Sequence, residues 1–120
     1  MDLQALQTKV EQEIAGYSYV ASAGAVGQPM SAAWVSSQLE EMRNALVKPE
    51  WKAVAIRDTV EQIKSEVQPE MRQCVLVAND RNGYELYFDP QHGEFVLAYS
   101  GNPPTTFNVR GDAVGCFMAR

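Results

Sequence analysis

QCVLVANDRNGYELYFDPQHGEFVLAY, residues Gln73–Tyr99, holds three extended segments separated by two turn signals. Cys74–Ala78 is continuously apolar, the pattern of a strand covered on both faces. Asn79–Gly83 follows, and its Asn82-Gly83 pair supplies the positive φ that a tight turn needs. Tyr84, Leu86 and Phe88 then alternate with Glu85 and Tyr87, and Phe95, Leu97 and Tyr99 alternate with Glu94, Val96 and Ala98. A period of two assigns each set to one face of a sheet. Between them, Asp89–Gly93 is a second turn, with Pro90 fixing φ and Gly93 at the left-handed position. An antiparallel meander over 73–79, 84–89 and 94–99 is the prediction.

Towards the C-terminus, Ser100–Pro104 is a longer connection containing two prolines. Residues 105–109 and 113–119 read as strands four and five, split by the turn Arg110-Gly111-Asp112.

Upstream the period changes from two to that of a helix. Leu3, Leu6, Val10, Ile14 and Tyr17 make one stripe, which predicts a helix over 2–17 with Asp2 capping its first turn. Ser18–Pro29 carries no charge and is punctuated by Gly24, Gly27 and Pro29, so it reads as a connector. Val35, Leu39, Met42 and Leu46 predict a second helix over 31–47, with Trp34 at the edge of its apolar face and Glu40 and Glu41 pointing elsewhere. Pro49 ends that helix and suits the first turn of a third, over 50–67, whose stripe is Ile56, Val60, Ile63 and Val67. Asp58-Thr-Val-Glu61 matches a capping box inside it. The prediction is a single α+β domain over 1–120, with three N-terminal helices packed on one face of a C-terminal antiparallel β-meander of five strands.

Composition narrows the function classes. The chain has 120 residues, 46% hydrophobic and 21% charged, which suits a folded domain with a real core. Fifteen acids against ten bases give a net charge of −5, spread along the chain rather than gathered in a tail. That balance opposes nucleic acid, whose phosphates need a surplus of Lys and Arg. It suits a protein partner with a basic surface. No stretch approaches the ~20 apolar residues of a membrane span, and the acidic, amphipathic N-terminal segment is unlike a secretory signal. A cytoplasmic protein with no membrane partner is therefore expected.

The chemistry-bearing residues are few. His92 is the only histidine and falls in a turn, so a catalytic role would need a partner base that the sequence does not supply. Cys74 and Cys116 each sit in an apolar run, without the CxxC spacing of a zinc site, and read as buried thiols. Glu85 and Glu94 are expected to face each other across the second hairpin, as solvated carboxylates on an outer face. Asp80, Asp89 and Asp112 lie in three separate turns, unlike a calcium loop. No catalytic residue, cofactor or metal site is expected.

The aromatics are more informative. Helices on one side of a sheet leave the other side open, and alternation points Tyr87 to that side with Glu85 and Glu94. Exposed aromatics among acids resemble an interface core with a polar rim. The expected protein-binding set is Glu40, Glu41, Trp51, Glu61, Glu85, Tyr87 and Glu94, the acids steering a basic target and Trp51 and Tyr87 anchoring it. By size and charge the chain is compatible with a non-enzymatic inhibitor, like the bacterial immunity proteins that neutralise a toxin by occluding it. The alternatives are a small-molecule binder or minor enzyme with a pocket between helices and sheet, a secretion chaperone, and a structural subunit; a homodimer is compatible with all of them.

Overall fold

A computed structural model describes residues 2–17, 31–57, 59, 64 and 70–120. The element order is α1 (Leu3–Gly16), α2 (Ala32–Ala45), β1 (Leu46–Ile56), β2 (Glu70–Asn79), β3 (Tyr84–Asp89), β4 (Glu94–Tyr99), β5 (Thr105–Gly111) and α3 (Ala113–Met118). The α+β class, with helices preceding an antiparallel five-strand sheet, is as the sequence predicts.

Both N-terminal helices begin where their caps specify. The Asp2 carboxylate accepts from the Gln4 and Ala5 N–H groups at 3.0 and 3.2 Å, and the Ser31 hydroxyl accepts from the Trp34 N–H at 3.1 Å. These side chains satisfy backbone donors that the first turn leaves without partners. Leu6, Val10 and Ile14 of α1 and Val35, Met42 and Ala45 of α2 are buried at helical spacing.

Two of the expected elements change type. The predicted helix over 50–67 is instead a strand where it is described: β1 follows α2 directly and pairs antiparallel with β2 from Glu50↔Leu76 to Ile56↔Glu70. The physical reason lies in Val54, Ala55 and Ile56, an apolar run too short to separate helix from buried strand by period. The Val60, Ile63 and Val67 part of the stripe, the Asp58 and Glu61 ends of the capping box, and the Ser18–Pro29 connector lie outside the described residues. The predicted strand over 113–119 is the short helix α3. Its buried residues Ala113, Val114, Cys116 and Phe117 share one helical face while Gly115 is exposed. Asp112 caps it, accepting from the Gly115 N–H at 2.9 Å, and the Glu13 carboxylate of α1 accepts from the Ala113 N–H at 3.0 Å. Arg110-Gly111-Asp112 is thus a strand-to-helix junction rather than a hairpin turn.

The meander closes on itself. Strand order is β1-β2-β3-β4-β5, and β1 meets β5 in parallel at Ala55↔Thr105, where the Ala55 N–H donates to the Pro104 carbonyl at 2.8 Å. The period of two in Gln73–Tyr99 therefore divides two cores. Val75, Val77, Leu86, Phe88, Phe95 and Leu97 face outward and pack with Leu6, Val10, Ile14, Met42 and Phe117 of the helices. Val54, Ile56, Cys74, Leu76, Tyr87, Val96 and Ala98 fill the inside of the barrel. Each large apolar side chain buried this way contributes roughly 1.5–3 kcal/mol.

Both hairpin turns are set by aspartates. Asp80 Oδ1 accepts from the Asn82 and Tyr84 N–H groups at 2.8 and 3.0 Å, and Asp89 Oδ1 accepts from Gln91 N–H at 3.0 Å. Positive φ falls on Arg81 and Gly83 in the first turn, so Arg81 takes the place expected for Asn82, and on Gly93 in the second.

Candidate protein-binding surface

Barrel closure relocates the residues that alternation placed on an open face. Tyr87 is fully buried and Glu85 nearly so, and the Tyr87 hydroxyl donates to Glu85 Oε1 at 3.2 Å. Burial, followed by the Glu85 charge, pushes the Tyr87 hydroxyl far above its ordinary pKa. Alternation was right about which residues share a face, but that face became the barrel interior. Neither residue is a surface anchor. Glu85 and Glu94 do not oppose each other either: Glu85 is opposite Ala98, and Glu94 is opposite Asp89.

Glu94 belongs to a charged cluster at one end of the barrel. The fully buried Asp89 carboxylate accepts from Arg72 Nη1 and, at 3.0 Å, from Arg110 Nη1; Arg110 also reaches Glu94 at 3.5 Å, and Arg72 reaches Glu70 at 3.0 Å. Burial alone would raise the Asp89 pKa, but the hydrogen bonds from Arg110 and Arg72 outweigh it and hold the carboxyl below the usual carboxylate range. A satisfied, inward-facing ionic cluster of this kind is a structural plug.

The two thiols are separated by the sheet, Cys74 in the inner core and Cys116 in the outer one. Burial, then the charges of Asp112 and Glu94, pushes the Cys116 thiol up to about 12, so little thiolate exists at neutral pH. His92 is exposed in the second turn. Among the described residues no group of three or more His, Cys, Asp and Glu side chains is placed to hold a metal ion, and no helix is long and apolar enough to cross a membrane.

What reaches the surface is a different aromatic set. Tyr84 and Tyr99 are cross-strand partners with rings 5.4 Å apart, and Phe107 stacks on Tyr99 at 4.3 Å. Half of Tyr99 is exposed, as is 38% of Trp34 on α2. Trp34 and Tyr84 line one concavity of about 300 Å³ together with Gln38, Glu41, Asp80 and Arg120. Its floor is braced by Arg120, whose guanidinium lies 3.8 Å over the Phe117 ring and donates to Asp80, Gln38 and Glu41, each at 2.8 Å. Asp80 is held below the usual carboxylate range: burial opposes this, and the Asn82 and Tyr84 N–H groups with Arg120 prevail. Rigid aromatic faces fixed by a braced floor offer contact area that costs little ordering on binding.

Of the residues singled out from sequence, Glu40 and Glu41 are exposed on α2 beside this patch, Glu40 within 3.7 Å of Arg43. Trp51 is exposed on β1. Glu61 lies outside the described residues. Sequence reasoning passed over Tyr84, Tyr99 and Phe107 because alternation put the first two on the helix-covered face. The signal was the excess of aromatics on that face beyond what two short helices can cover.

Compared with known protein families, characterised proteins and solved structures, the chain matches none.

Proposed function

We propose that the protein is a non-enzymatic binding module that occludes another protein, in the manner of an immunity-type inhibitor, through the face formed by Trp34, Tyr84, Tyr99 and Phe107. The observation that carries this reading is the exposed, mutually stacked aromatic set, bordered by Glu40, Glu41 and Asp80. Binding hot spots are enriched in Tyr and Trp because they bring large apolar area with few rotatable bonds. The net charge of −5 favours a partner with a basic surface, which such a field draws into encounter. The buried Tyr87, Glu85 and thiols leave little for catalysis to use, which supports a binding role over chemistry.

The test is affinity capture from the native cell with the wild-type chain and with Tyr99→Ala. A stoichiometric protein held by the wild type and released by Tyr99→Ala is the expected result. Recovery of a bound metabolite and no stoichiometric protein would overturn the reading in favour of a small-molecule binder, for which the cleft between α2 and the β2–β3 turn is the place to look. That cleft, about 240 Å³ and lined by Glu41, Asn44, Asp80, Asn82 and Arg120, has the polar lining that such a ligand needs.

A further inference from the structure

β1 is eleven residues long, yet it meets β5 at a single residue pair. On its other side it is paired with β2 from Glu50 to Ile56. Because the Ala55 N–H points away from β2, towards Pro104, alternation turns the backbone groups of Ala53 and Trp51 the same way. Among the described residues these two form an open sheet edge, and Trp51, Lys52 and Ala53 are all exposed there. An open edge is a template for another strand.

We propose that this edge pairs with the same edge of a second copy, antiparallel, about a two-fold axis at Trp51. Three observations select that occupant and that register. First, residues directly opposite in an antiparallel pair centred on Trp51 sum to the same number, so Glu50 of each copy faces Lys52 of the other. Two ion pairs form from charges that in one copy merely blunt the edge. Second, the two Trp51 residues exchange N–H···O=C bonds and bring their 46%-exposed rings together, as an isologous interface requires. Third, the neighbouring edge-facing register, centred on Ala53, is blocked, because it would use the Ala55 N–H already given to Pro104. Beside Ala53, Met71 and residues 101–104 border an open concavity of about 660 Å³, which leaves room for the incoming strand. Pairing of this extent makes a small interface, so the dimer is weak and concentration-dependent.

Sedimentation equilibrium up to about 1 mM protein reads this directly, since even a small interface is populated there. The wild type is expected to show a reversible monomer–dimer equilibrium. Glu50→Lys places four lysines at the junction and weakens it about tenfold or more, whereas the double exchange Glu50→Lys with Lys52→Glu restores it to within about threefold. Both positions are on the surface, so circular dichroism should show the same fold in all three proteins. A wild type that stays monomeric throughout, a dimer indifferent to Glu50→Lys, or a double exchange that fails to restore association would each overturn the proposal. The experiment is independent of the Tyr99 face, so either conclusion can fail without the other.

Discussion

Replacing Asp89 by Asn tests how the barrel end is held. The carboxylate is fully buried, and the two guanidiniums it accepts from are only 11% and 15% exposed. An amide keeps the shape but removes the charge, leaving Arg72 and Arg110 with Glu70 and Glu94 as their remaining carboxylates. Breaking a buried ion pair by removing one partner costs about 3–5 kcal/mol. Because Glu70 and Glu94 stay in place, the lower end applies, about 3 kcal/mol. For a chain of this size that is a fall in Tm of about 10 °C. The loss also has a pH signature. Asp89 has a folded-state pKa below its unfolded value of about 3.9. Its contribution is therefore complete well above that unfolded value and disappears as pH falls through the lower folded one. Urea unfolding followed by circular dichroism should give a wild-type-minus-variant difference that is flat from about pH 6 to 7 and shrinks in acid below about pH 4. A difference under about 1 kcal/mol at neutral pH, or one that does not shrink in acid, would refute the reasoning.

Three further outcomes follow from other parts of the fold. In Gly115→Ala the new methyl would sit 2.6 Å from Asp112 Oδ1, so the α3 cap must shift; a loss of about 1 kcal/mol is expected in urea melts, and Asp112→Ala should cost a similar amount. Neither Cys74 nor Cys116 should react with a thiol reagent in the native protein at pH 7–8, whereas both should react at once in denaturant, since both thiols are buried and the Cys116 pKa is pushed up to about 12. Met42→Ala, which opens a void in the fully buried outer core, should lower stability by about 2–5 kcal/mol with the fold retained, as read by thermal melting.

Much of the architecture is legible locally. Asp2 and Ser31 cap the two helices, and the turn residues around Asp80 and Asp89 set the registers of the central hairpins. Two things were not local. The Val54–Ile56 run reads equally as helix or strand, and its partners in β2 come 14 or more residues later. The Asp112 cap and the helical spacing of Ala113, Val114, Cys116 and Phe117 were present in the sequence, but a preceding strand and a Gly at 115 favoured the extended reading. The consequence for function came from closure. Period two tells which residues share a face and says nothing about what covers it. The Ala55–Thr105 bridge, fifty positions apart, turned the supposed open face of Glu85 and Tyr87 into an interior. The surface aromatics are therefore Trp34, Tyr84, Tyr99 and Phe107 with Trp51 elsewhere, and Tyr87 is a core residue.

The exposed aromatic face can be separated from the barrel interior by one measurement. Isothermal titration of the captured partner into wild type, Trp34→Ala, Tyr99→Ala and Tyr87→Phe compares the two directly. Each of the first two substitutions should weaken binding by tenfold or more, the scale of an interface anchor at about 1.4 kcal/mol or above. Tyr87→Phe, which alters only a buried hydroxyl, should bind within about twofold of wild type while losing about 1 kcal/mol of stability. Wild-type affinity in Trp34→Ala and Tyr99→Ala would contradict the proposed face.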